Sequence, residues 1–139
     1  MLAGAVSLEA VLVSIIAGLG PTTVIMGKHM DKGADDRARG IRSLPVVLGD
    51  EKSRLLTRLL VVMHFVLIAV AAWWISLWLL LPVAALMSAL PFLRVLEQPL
   101  PASCPDTYPV SVWPLWFVAH GFRFNRDFGL LLLAGSLLA

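Results

Sequence analysis

The sequence carries little charge, one cysteine, and none of the short motifs that mark common hydrolases, nucleotide-binding proteins and metalloenzymes. Asp, Glu, Lys and Arg make up 14% of its 139 residues, while 59% are hydrophobic and the mean hydropathy is +0.86. A soluble domain is about a quarter charged and about half apolar. A chain this apolar would expose large hydrophobic patches in water, which excludes a soluble globular enzyme, a disordered tail and a secreted disulfide scaffold. Cys104 stands alone in a proline-rich stretch and supports neither a disulfide nor a metal cluster. HExxH, CxxC, GxSxG and GxxxxGK[ST] are all missing, and no segment has the alternating acids, glycine and terminal Glu of a calcium EF-hand. The formal net charge of +2 is small, so its placement matters more than its size, and no nucleic acid is implied as a partner.

What is present is long apolar tracts. A helix needs about 20 residues to cross the hydrocarbon core. The chain therefore reads as an all-α, polytopic transmembrane helix bundle of about four membrane helices, in a single domain over residues 1–139. The expected helices are roughly 5–27, 55–74, 78–96 and 110–139, with a polar loop over 28–54. The first tract lacks a basic start and is longer than a signal core, so it is read as a membrane helix. Its Gly18-Leu19-Gly20-Pro21 run suggests a packing kink, because proline removes a helix hydrogen bond and small residues permit close contact.

Leu59–Leu93 is too long for one span and suits two, with Trp73, Trp74 and Trp78 at the interface between them. Four prolines (Pro99, Pro101, Pro105, Pro109) mark the following loop. In the last tract, Arg123, Asn125, Arg126 and Asp127 interrupt two apolar halves, each too short to span alone. They read first as a helix boundary, with a polar patch facing a cavity as the alternative. His64 and His120 read first as neutral imidazoles bonded to backbone carbonyls, and His29 as an interfacial residue.

Eight of the 11 Lys and Arg residues fall between Lys28 and Arg58, and short basic loops stay in the cytoplasm. This predicts a multi-pass integral membrane protein, in the cell membrane, with the 28–54 loop cytoplasmic.

That loop also carries the chemistry. Asp31, Asp35 and Asp36 are interleaved with Lys28, Lys32, Arg37, Arg39 and Arg42. Asp31 and Asp35 would share one helix face, where like charges repel unless a cation sits between them. Mg²⁺ takes carboxylate oxygens together with substrate phosphates, and arginine forks suit phosphate oxygens. The pattern therefore suggests a metal-bridged diphosphate. The bland alternative is a mixed-charge loop whose basic residues only set topology.

The run Lys28–Gly49, KHMDKGADDRARGIRSLPVVLG, resembles the second aspartate-rich motif of the UbiA-type intramembrane prenyltransferases. In those proteins an acidic cluster is followed by a glycine, a basic residue, a small hydroxyl residue, Leu and an LG ending, as in Gly40, Arg42, Ser43, Leu44, Leu48 and Gly49 here. The tract from Trp113 to Phe117 agrees in style. The resemblance implies a bundle of about nine membrane helices, of which this chain would be the C-terminal part. It also implies Mg²⁺ as cofactor and transfer of a prenyl group from a prenyl diphosphate to a lipophilic, aromatic acceptor.

Counting back from Gly40, the family's second carboxylate falls on Asp36, while its first falls on Lys32, one residue after Asp31. The implied metal ligands are Asp31 and Asp36, with Asp35 as the alternate, and the implied diphosphate contacts are Lys28, Lys32, Arg37, Arg39 and Arg42. The family's first motif, Asn-x-x-x-Asp-x-x-x-Asp, has no counterpart upstream of Lys28, where Glu9 is the lone acid. The expectation is a fragment, weakly active or inactive alone, with a partner chain supplying the missing half. A small non-enzymatic membrane protein with an assembly role is the competing reading. A phosphatidyl-transferring enzyme would need an Asp-Gly-x-x-Ala-Arg frame, and only Ala38-Arg39 is present.

Overall fold

A computed structural model describes residues 7–139; the expected first helix begins at residue 5, so its first two residues lie outside them. Among the described residues every regular element is helical. Helix α1 (Leu8–Asp31) starts where the Ser7 hydroxyl accepts from the Ala10 amide at 3.2 Å, satisfying one of the orphan donors of the first turn. Pro21 lies within it. Just after the proline, the Thr22 and Thr23 hydroxyls donate back to the carbonyls of Gly18 (2.9 Å) and Gly20 (2.7 Å) in the turn before it.

Two short helices follow, α2 (Gly33–Ala38) and α3 (Leu44–Leu48). Gly40 (φ 69°) turns the chain between them, and Gly49 (φ 83°) turns it again before α4 (Asp50–Trp74). Both glycines occupy the left-handed region that a side chain makes costly. Asp50 and Glu51 sit in the first turn of α4, where negative charge suits the helix dipole. The segment 28–54 is thus mostly helical rather than a loop. Lys28–Asp31 continues α1, Asp50–Arg54 opens α4, and two helices lie between. Glycines at the turns let short helical pieces form inside a strongly charged run.

After α4 the chain enters a 3₁₀ stretch, Leu77–Ala85, containing Pro82, which leads directly into α5 (Leu86–Val95). A 3₁₀ run this long is uncommon. Pro82 cannot donate to the Trp78 carbonyl, so α-helical pairing is interrupted there. The last helix, α6 (Trp116–Leu138), is continuous. Arg123–Asp127 therefore does not form a helix boundary. The charges lie along one helix, and Arg126 pairs with Asp127 at 2.7 Å.

Helices α1, α4 and Leu77–Val95 are long and apolar enough to cross a membrane. Helix α6 is long enough, but Arg123, Arg126 and Asp127 raise its polarity. It packs mainly on α1 and on the 3₁₀ stretch, and α1 also packs on α4. The core between them is built of Ile16, Val61, Ile68, Leu79, Phe92, Phe117, Phe124 and Phe128. His64 lies fully buried among them, edge-on to Phe124 and Phe128 at 5.1 and 4.8 Å. Its Nδ1 donates to the Leu60 carbonyl at 2.7 Å, while its Nε2 is buried without a hydrogen-bond partner among the described residues.

Two close approaches need glycine. A Cβ on Gly27 would lie 2.9 Å from the Val118 amide nitrogen, and one on Gly135 would lie 2.6 Å from the Trp78 carbonyl oxygen. The second contact sets α6 against the carbonyl that Pro82 leaves without its α-helical donor.

Candidate functional site

The acidic run is divided by the end of α1. Asp31 is its last residue, and Asp35 and Asp36 lie in α2. The three carboxylates have different surroundings.

Asp31 is buried, and its two oxygens accept from the backbone amides of Phe117 (2.8 Å) and Val118 (2.9 Å). These amides belong to the first turn of α6, where donors lack intrahelical partners. Asp31 therefore caps α6 from the far end of α1. Gly27, one turn earlier on the same face, lets the backbones approach closely enough for the carboxylate to reach. The carboxylate also meets the positive end of the α6 dipole. Nearby, burial raises the phenol of Tyr108 above its ordinary value, and the charge of Asp31 adds to the effect.

Asp36 receives the ring of His29, with Nδ1 to Oδ2 at 3.2 Å. Its side chain is 11% exposed, against 72% for Asp35. The His29 contact holds the Asp36 carboxyl below the usual carboxylate range, against the opposing effect of desolvation. The backbone amide of Ile41 donates to the Asp36 carbonyl at 2.8 Å, which fastens the turn at Gly40 onto α2. Asp35 faces outward, 3.5 Å from Arg39 on the next turn.

Lys28, Lys32, Arg37, Arg39 and Arg42 are all exposed, and among the described residues Arg39 alone of the five has an ion-pair partner. Arg37 lines a cavity of about 230 Å³ together with Met30, Pro45, Asp50 and Leu100. The bend thus presents a basic surface around one buried carboxylate, Asp36, and one open carboxylate, Asp35.

No group of three or more His, Cys, Asp or Glu side chains among the described residues could hold a metal ion by itself. Asp31 is engaged with α6, and Asp36 shares its position with His29. The donor set suits Mg²⁺ only where phosphate oxygens complete the shell. That is the usual arrangement for this ion, which is commonly held by one or two carboxylates plus substrate.

Sequence reasoning overlooked the pairing of His29 with Asp36. Their spacing of two helical turns was a usable signal, obscured by the break at Lys32. It also overlooked the capping role of Asp31, for which no local signal exists.

No curated protein and no solved structure matched the chain. The sequence model of the UbiA prenyltransferase family matches residues 1–118, which include α1, the whole Asp-rich bend, the two spans that follow and the capped start of α6. With that match covering most of its length, the chain belongs to the UbiA prenyltransferase family.

Proposed function

We propose that the chain contributes the second aspartate-rich half of a Mg²⁺-dependent prenyltransferase site, one that moves a prenyl group from its diphosphate to a lipophilic, aromatic acceptor. The observation that carries this reading is the bend itself. Asp36 is kept ionised by His29 at the foot of a membrane helix, with exposed Lys28, Lys32, Arg37, Arg39 and Arg42 around it. Bound Mg²⁺ would supply Lewis-acid stabilisation of the departing diphosphate. Asp36 and Asp35 would hold it, and the arginines would add fixed positive charge where negative charge develops. Asp31 serves the same site from behind by fixing α6. The basic residues also orient the chain, placing the bend on the cytoplasmic face of a cell membrane.

One acidic set neutralises a diphosphate poorly. A second set, from another segment or a partner chain, would complete the site, so the 139 residues alone are expected to be weakly active or inactive. The test is binding of a labelled prenyl diphosphate to purified protein in detergent. Binding should require Mg²⁺ and disappear in Asp36→Asn. Absence of Mg²⁺-dependent binding in the unmodified chain would instead favour a non-enzymatic membrane protein. Robust prenyl transfer by the isolated chain would contradict the need for a second set.

A further inference from the structure

A second cavity opens beside the start of α6, and no carboxylate is among its lining residues. It measures about 250 Å³ and is lined by Tyr108, Pro109, Val112, Ala119, His120 and Arg123. Its walls are mainly apolar or aromatic, and the one fixed charge among them is the Arg123 guanidinium. Arg123 makes no direct ion pair among the described residues; Asp127, one turn on, contacts Arg126 at 2.7 Å and feels the charge of Arg123 from further off.

The other polar side chains on the wall each make one hydrogen bond to the backbone. The His120 Nδ1 donates to the Trp116 carbonyl at 2.9 Å, and the Tyr108 hydroxyl donates to the Leu115 carbonyl at 2.6 Å. Tyr108 and His120 stack with their planes 17° apart, and Trp113 and Trp116 meet Tyr108 edge-on at 6.4 and 4.8 Å. Indole and phenol rings gathered in this way mark the headgroup level of a bilayer. Arg123 lies two turns further along α6, about 10 Å from its start at the helical rise, within snorkelling reach of that level.

An arginine whose hydrogen-bond donors are unpaired is costly in a membrane helix and takes a partner from its surroundings. Here the chain offers only Asp127, which is bonded to Arg126 instead, while the cavity offers an apolar floor directly beside the charge. We propose that this cavity binds the phosphate head group of an anionic phospholipid. Arg123 would hold the phosphate with a forked hydrogen-bond pair, and Val112, Ala119 and Pro109 would cover the glycerol and the start of the acyl chain. A prenyl diphosphate shares this chemistry of anionic head and apolar tail. The lipid is favoured because the cavity holds one cation and no carboxylate to recruit a metal, whereas the Asp-rich bend holds both kinds of group. The proposal stands apart from the reading of the bend.

The experiment is lipid retention by the purified full chain, measured by native mass spectrometry from mixed micelles of phosphatidylglycerol and phosphatidylcholine. Phosphatidylglycerol should be retained about fivefold over phosphatidylcholine, the preference expected of one well-placed cation near a membrane surface. Arg123→Gln should abolish the preference, Arg123→Lys should keep part of it, and Ala119→Leu should reduce retention by filling the cavity. Asp36→Asn should leave retention unchanged, which separates this site from the bend. An undiminished preference in Arg123→Gln would overturn the proposal. So would complete displacement by millimolar inorganic phosphate, or displacement by a prenyl diphosphate that requires Mg²⁺. The Arg123 variants alter an exposed side chain, so the test stands even if Ala119→Leu fails to fold.

Discussion

Asp31 and Asp36 belong to one acidic run, yet they lie in regions governed by different physics. Asp31 is part of the seam between α1 and α6, where Gly20, Gly27 and Asp31 meet Asn125 and the first turn of α6 in close contact. Asp36 is part of the bend, where short helices turn on glycines and most side chains face outward. In the seam a carboxylate is a structural acceptor with both oxygens engaged by the backbone. In the bend the Asp36 carboxylate, equally buried, is engaged by a side chain, His29, at one oxygen and by no backbone amide. Membership of a motif therefore does not give its acids equal roles, because the last turn of a membrane helix can recruit one of them for packing.

The comparison can be broken most directly at Gly27. Replacing it with Leu places side-chain atoms where the Phe117–Val118 backbone now lies, and the helices must part. A loss of about 3 kcal/mol or more is expected, at the upper end for overpacking. Gly18→Ala is the control, since nothing lies within 4 Å of that position; its unfolding midpoint in detergent should stay level or rise. Equal losses in the two variants would mean that the seam is not tighter than its surroundings.

Asp31→Ala comes next. It leaves two buried amides without an acceptor, a cost of about 1–3 kcal/mol, and hydrogen exchange at Phe117 and Val118 should accelerate. Asp31→Asn should recover part of this protection, because an amide oxygen still caps. Unchanged exchange in Asp31→Ala would remove the distinction drawn between the two acids.

Asp36 should respond to pH rather than to packing. Its carboxyl sits below the ordinary value of 3.8 in the folded chain, so the folded state binds fewer protons there than the unfolded one. Its contribution is complete above about pH 4 and is lost as pH falls through the lower folded value. A stability profile in acid should lose this component in Asp36→Asn and keep it in Arg39→Ala. The smallest effect belongs to Arg39→Ala itself. The pair with Asp35 is exposed on both sides, and its removal should shift stability by no more than about 0.5 kcal/mol.

The helical class was legible in the sequence because apolar tracts of membrane length dominate a chain with few charges. The acidic and basic residues of the bend were legible because they cluster in one polar segment. What escaped was decided by tertiary contact. Nothing near Asp31 indicates that its partners are the amides of Phe117 and Val118, since backbone donors leave no trace in a side-chain pattern. The continuity of α6 through Arg123–Asp127 escaped for a related reason. Arg126 and Asp127 neutralise each other locally, and Asn125 packs over Gly20, so the helix tolerates residues that read as an ending. The helical pieces within 28–54 depended on Gly40 and Gly49 at positive φ, which composition alone marks only as flexible points.

The cap on α6 also bears on the order in which the chain assembles. Asp31 and its two amides are separated by α2, α3, α4, the 3₁₀ stretch and α5. The contact cannot form before α6 exists, although closing a long loop carries an entropy cost that grows only slowly with its length. Until α6 has been made and brought back beside α1, the Asp31 carboxylate has no α6 amides to cap. A chain stalled before Trp116 would display a free carboxylate at the end of α1, and completion of α6 would withdraw it.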